Sequence, residues 1–187
     1  MAEQQRGERI VSADLLACVE ETMAVATLRY FDREGPFAQA AQAATGATLP
    51  EPLALHEAAD SQLILAWRSP TETLCLASGH ARLAELTVQL AGAAAGCLVD
   101  LTAGVRIVRL TGVRTADLLC RLGSSACVPA VGEARRSRLA DVPVLALSVR
   151  DGETLLVVDR AYLAHLLGWV RETLLDFDAP AETLGRG

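Results

Sequence analysis

Between Asp100 and Arg109 the chain carries its densest set of side chains able to do chemistry: Asp100, Thr102, Arg106 and Arg109, with Gly104 among them. Asp100 follows the apolar run Cys97-Leu98-Val99, so its carboxylate sits at the end of a covered strand, where an unpaired charge is costly. It must accept hydrogen bonds from turn amides, as in an Asx-type turn closing near Thr102, or hold a cation, either a ligand amine or an arginine. Arg106 and Arg109 are three apart on a strand and therefore point to opposite faces. One of them is expected to enter covered space and be paired, with Asp100 as the suggested partner. Arg138, in the run Arg135-Arg136-Ser137-Arg138, belongs to the only concentrated positive patch. It is a solvated strand edge or a site for an acidic partner or a ligand carboxylate.

Other chemistries are excluded by residue type. All 17 basic residues are arginine, which removes a Walker-type lysine, a Schiff base and a Ser-Lys pair. His56, His80 and His165 lack a second ligand at metal-binding spacing. No G-x-S-x-G elbow or G-x-G-x-x-G fingerprint is present. The five cysteines have no metal-ligand pattern. Three lie in apolar runs and read as reduced core residues. Cys127 is a loop thiol with no neighbour in sequence expected to lower its pKa.

These groups need elements to position them. A strand over 97–99, a turn over 100–104 and a strand over 105–111 precede a helix that follows Gly112. Upstream, Ser12 is placed to cap a short helix to Glu21, and a strand runs over 23–30. Pro36 opens a helix that Gly46 ends. The segment 49–59, with Pro50 and Pro52, reads as an irregular connection. Strands over 62–67 and 71–77 meet at Arg68-Ser69-Pro70, and a helix runs from His80 to about Ala94, closed by Gly96. A loop over 123–133 leads to strands over 135–139 and 142–149, with Pro143 expected at an edge or bulge. Asp151-Gly152 marks a hairpin. A final amphipathic helix begins near Tyr162.

Hairpins with helices between them give an α+β class: a largely antiparallel sheet with covering helices, and β-β-α blocks at 62–94 and 97–122 as a repeat. The expected organisation is an N-terminal arm and short helix over 1–22, one domain over 23–177 and a tail over 178–187. With 187 residues, 51% hydrophobic and 21% charged, the chain can bury a substantial core. A net charge of −6 and 4% aromatic residues speak against nucleic acid. No window reads as a membrane span, and the charged N-terminus has no apolar signal core, so a cytoplasmic protein is expected.

The stretch LVDLTAGVRIVRLTGVRTADLL resembles the Val-Asp-(Val/Leu)-(Ser/Thr)-x-Gly strand–turn–strand of the gamma subunit of heterotetrameric sarcosine oxidase. The likeness continues in order through RLADVPVLAL and LLVVDRAYLAHLLGWV, and upstream through LILAWRSPTETLCLA, covering about residues 23–177. That family is related to the folate-binding domain of the glycine-cleavage aminomethyltransferases, so the resemblance implies their α+β fold with a split β-α-β arrangement. It also implies an accessory, non-catalytic subunit without an established cofactor of its own. The implied complex contains larger flavoprotein subunits with FAD, FMN, NAD and tetrahydrofolate, and oxidatively demethylates sarcosine with transfer of the one-carbon unit to tetrahydrofolate.

Two loops depart from the family pattern. Gly123 to Pro129 stands where members carry a Cys-Pro-x-Asp segment, and Thr71-Glu72-Thr73 follows Pro70 where an acid and a tryptophan are usual. Loops are where partners and ligands are met. The alternative expectation is a stand-alone tetrahydrofolate-binding one-carbon transferase, with Asp100 near the reacting nitrogen and Arg106 or Arg138 on the carboxylates of folate.

Overall fold

The computed structural model describes residues 7–58 and 60–178. Two antiparallel sheets are stacked face to face, with a pair of helices on each outer surface. The first sheet contains β3 (Ala24–Tyr30), β4 (Leu55–Glu57), β5 (Leu63–Ser69), β6 (Glu72–Ala77) and β7 (Gly96–Asp100), in the order β4-β5-β6-β3-β7. The second contains β1 (Arg9–Val11), β2 (Leu16–Val19), β8 (Val105–Thr111), β9 (Ala134–Leu139), β10 (Val142–Arg150) and β11 (Glu153–Asp159), in the order β1-β2-β8-β11-β10-β9. Helices α1 (Pro36–Thr45) and α2 (His80–Leu90) cover the first sheet; α3 (Thr115–Leu122) and α4 (Leu163–Asp178) cover the second.

Strand composition explains the stacking. In β11 every residue from Glu153 to Val158 is buried, and alternate residues serve different layers. Leu156 and Val158 pack toward α3 and α4, while Leu155 and Val157 join the core between the sheets. In β3, Ala24, Ala26 and Leu28 face the helices and Val25 faces the other sheet. A strand apolar on both faces needs a cover on both. The antiparallel class with covering helices is therefore met, in two sheets where one was expected.

Each half is a split β-α-β arrangement. Helix α1 connects β3 to β5 with β6 between them, and α2 connects β6 to β7 with β3 between them. Helix α3 likewise connects β8 to β10 around β11. The place beside β8 that corresponds to β7 is filled by β2, from the start of the chain. The repeat is thus β-α-β-β-β-α over about 24–90 and 105–178, larger than the β-β-α blocks expected.

Several element expectations are met closely. Pro36 opens α1 and Gly46 ends it at φ 68°. Strand β8 has the expected bounds, and Asp151-Gly152 joins Arg150 to Glu153. Others are corrected. Ser12 caps no helix: Ala17 and Val19 are buried while Leu16 and Cys18 are partly exposed, a period of two that pairs β1 with β2 and β2 with β8. Within the irregular connection, Leu55–Glu57 forms β4. Helix α2 ends at Leu90, and Gly96 instead begins β7, at a position where a Cβ would lie 2.3 Å from Phe37 Cγ. Pro143 lies in an inner strand, at its mouth, before β10 meets β11 at Val144. Only Cys75 of the five cysteines is fully buried. Residues 1–6 of the expected arm and 179–187 of the expected tail lie outside the described residues. No helix among the described residues is long and apolar enough to cross a membrane.

Candidate functional site

The turn between β7 and β8 is built by side-chain hydrogen bonds. Asp100 Oδ1 accepts from the Thr102 amide at 2.8 Å, the Asx turn anticipated as one reading of this acid. The Thr102 hydroxyl accepts from the Val25 amide at 2.9 Å and donates to the Val25 carbonyl at 3.2 Å, so it takes over the ladder where β7 leaves β3. Gly104 donates its amide to Leu101 and accepts from the Arg160 amide at 2.9 Å, tying the turn to the segment before α4. Arg106 folds back over the turn and donates through Nη1 to the carbonyls of Thr102 and Val105, at 3.1 and 2.7 Å.

This turn walls a cavity of about 370 Å³ at the seam of the two sheets. Asp100, Glu20 and Glu21 supply carboxylates; Arg106, Arg160 and His80 supply cationic or donor groups; Met23, Val25 and Ile107 are among its apolar lining. His80 is the first residue of α2, whose N-cap, Gly79, offers no side chain to the free helix amides. The arrangement suits a ligand bearing both charges, or an anion held by arginine and helix amides. The only hydroxyl in the lining, that of Thr102, is committed to Val25. Among the described residues no group of three or more His, Cys, Asp or Glu is arranged to hold a metal ion.

The two arginines of β8 have separate surroundings. Arg109 does not meet Asp100. It bridges Glu20 at the end of β2 and Glu153 at the start of β11, with Met23 Sδ 3.8 Å from Nη2. Burial opposes its charge, but the Glu20 and Glu153 carboxylates prevail and hold its pKa above the ordinary arginine value. Asp100, Thr102 and Arg106 therefore share the cavity wall, while Arg109 does not line it. Arg138 also lies elsewhere, beside the turn of the β9–β10 hairpin, donating to the Asp141 carbonyl at 2.7 Å. Cys127 differs from expectation too. Partial burial tends to raise its pKa, but the Ser124 hydroxyl and amide, with Ser137 and Arg138, bring it below the usual thiol value.

Four lining residues were not singled out from sequence: Glu20, Glu21, His80 and Arg160. Their separations from Asp100 give no motif. The one local signal is the Gly79-His80 helix start, which marks an uncapped N-terminus.

No protein family and no curated protein matches the sequence. The fold matches solved structures. It is similar to a chain of the heterotetrameric sarcosine oxidase from Corynebacterium sp. U-96 in complex with pyrrole 2-carboxylate, with a TM-score of 0.79 and 24% identity over 96% of this chain and 93% of that one. It is also similar to the glycine cleavage system aminomethyltransferase T from Bartonella henselae, with a TM-score of 0.59 and 14% identity. That match covers 90% of this chain and 47% of the transferase, so the chain spans about half the length of the transferase. The resemblance read from the sequence is met in the fold.

Proposed function

We propose that this chain is a gamma-type accessory subunit of a sarcosine oxidase-like flavoenzyme complex. The observation that carries the reading is the match of nearly whole chain to nearly whole chain with a sarcosine oxidase component, against a match to only half of a transferase. The complex would oxidatively demethylate an N-methyl amine and pass the one-carbon unit to tetrahydrofolate. FAD, FMN, NAD and tetrahydrofolate would sit on larger partner subunits and none on this chain alone. Two features suit docking: the outer edge of β7, and the outward side of α4, where Trp169 is 52% exposed. Unpaired cysteines agree with a cytoplasmic setting. Co-expression with the larger subunits of a sarcosine oxidase-type enzyme from the same host tests the reading: a stable flavin-bearing complex that oxidises sarcosine and loses stability without this chain is expected. Full assembly and activity without it would overturn the proposal.

A second reading rests on the cavity beside Asp100. There the chain would be a folate-binding one-carbon transferase, with the outer oxygen of Asp100 toward the reacting nitrogen and Arg106 toward a carboxylate of folate. Asp100→Asn would then abolish folate-dependent turnover by the isolated chain while leaving its melting temperature nearly unchanged. Turnover equal to that of the unaltered chain would exclude this role for Asp100.

A further inference from the structure

On another side of the shared core the two sheets leave a slot of about 200 Å³. Leu74 and Val105 line it, with Leu145 and Val157 as its floor, and Arg68 from β5 and Arg136 from β9 stand over it. The apolar layer is incomplete at this point. Leu145 and Val157 keep 8% and 7% exposure, whereas Leu147 and Leu155 in the same core cluster have none. Water therefore reaches an apolar floor that sequence and packing built for burial.

The charges above that floor are out of balance. Arg68 Nη1 donates to the buried Thr27 hydroxyl at 3.2 Å, and its Nε lies 3.7 Å from Glu72. Glu72 already holds Arg29 at 2.8 Å through its other oxygen, so one carboxylate serves two guanidinium groups. The Arg136 side chain makes no hydrogen bond and no ion pair among the described residues. Asp159, also at the slot, accepts the Ala161 amide on Oδ1 and keeps its negative charge, so the two arginines of the lining outnumber its one carboxylate. A guanidinium offers five donors in a plane and matches a carboxylate better than any neutral acceptor.

We propose that this slot binds a small free monocarboxylate, its carboxylate held by Arg136 and Arg68 and its short apolar body lying on Leu145 and Val157. The volume is below that of pockets for drug-sized ligands, which limits the guest to a short-chain or single-ring acid. The slot shares Val105 with the Asp100 cavity but is otherwise lined by different residues, and it does not depend on the subunit reading.

Titration of the full chain with benzoate, followed by amide shifts in two-dimensional NMR, tests the proposal, with benzyl alcohol as the uncharged counterpart. Saturable benzoate binding that moves the amides of Leu145 and Val157 is expected. Benzyl alcohol should bind about tenfold more weakly, as should benzoate to Arg136→Gln, the loss of one charge-assisted contact. The Arg136 side chain has no polar partner among the described residues to lose, so the variant should melt with the unaltered chain, and a weaker titration cannot be ascribed to unfolding. Absence of saturation, equal affinity for benzyl alcohol, unchanged affinity in Arg136→Gln, or shifts centred on Val25 and Ala103 would each overturn it.

Discussion

In the half built on β3, the sheet ends at β7, and no further strand among the described residues pairs with Gly96–Asp100. In the half built on β8, the corresponding strand is β2, and β1 pairs along its outer side. The second half is completed by residues from the start of the chain, and Arg109 fastens that addition by joining Glu20 to Glu153. The first half is completed by β7 itself and leaves its edge available. Its last residue, Asp100, turns into the seam cavity instead of into an ion pair. The same wiring thus yields one half tied off by charge and one half with an unpaired edge beside a polar cavity.

The sharpest way to break the contrast is at the glycines where each half closes. A Cβ on Gly112 would lie 2.1 Å from the Asp14 carbonyl oxygen and 2.8 Å from Leu15 Cα, at φ 144°. Gly112→Ala should therefore push β2 off β8 and cost on the order of 3 kcal/mol or more, read as urea unfolding and early proteolysis at the N-terminus. Gly96→Ala meets Phe37 and the Arg29 carbonyl. It should cost a comparable amount, while early proteolysis should fall at β7 and leave the N-terminal hairpin protected.

Next in size is the pair of arginines. Arg109→Ala removes the cation shared by Glu20 and Glu153, leaving Glu153 only its exposed partner Arg150, and should destabilise by about 2 kcal/mol given partial exposure. Arg106→Ala removes hydrogen bonds to turn carbonyls at a half-exposed position and should cost about 1 kcal/mol or less. Equal losses in chemical denaturation would show that the ion bridge does not distinguish the two ends of β8.

A smaller contrast lies in the thiols. Burial pushes Cys75 in the first half up to about 12, whereas Cys127 in the second half is held below the usual value once its hydrogen bonds outweigh burial. Iodoacetamide at mildly alkaline pH should modify Cys127 early and Cys75 only on unfolding, with peptide mass spectrometry recording the order. Smaller still is the acid limb of stability. Asp60 is lowered by the Gln62 amide and then Arg82, and Glu133 by the Ala130 amide and then Arg135. A carboxyl with a depressed folded-state pKa contributes stability above its unfolded value and loses it as pH falls through the folded one. Melting temperature should therefore decline below the ordinary carboxylate range, with a shallower decline in Asp60→Asn. An unchanged slope would remove Asp60 from that account.

Much of this fold is legible locally. Strand β8, helix α1 and the Asp151-Gly152 hairpin follow from alternation, helical spacing and turn residues, and the structure keeps their bounds. The N-terminal hairpin is not legible, because Leu15, Leu16 and Val19 satisfy a helical period over a stretch too short to distinguish from strands. The doubled sheet has a signature, strands such as β3 and β11 apolar on both faces, but such runs do not reveal what covers each face. The Asp100 turn is readable because Asp100 and Thr102 are two residues apart. The partners of Arg109 are not, since Glu20 and Glu153 lie 89 and 44 residues away and meet it only through sheet order. For the same reason Arg160 and His80 join the cavity without any motif, and Arg138 remains outside it.

The proposed role of the chain is that of one subunit of a larger flavoenzyme. Isolating a tagged copy from its native host, under conditions that preserve complexes, tests this most directly when mass, absorbance and sarcosine oxidation are measured on the same fraction. The account predicts one species containing this chain and larger subunits, yellow from bound flavin and active on sarcosine. A colourless, lone chain that turns over a folate substrate by itself would contradict it.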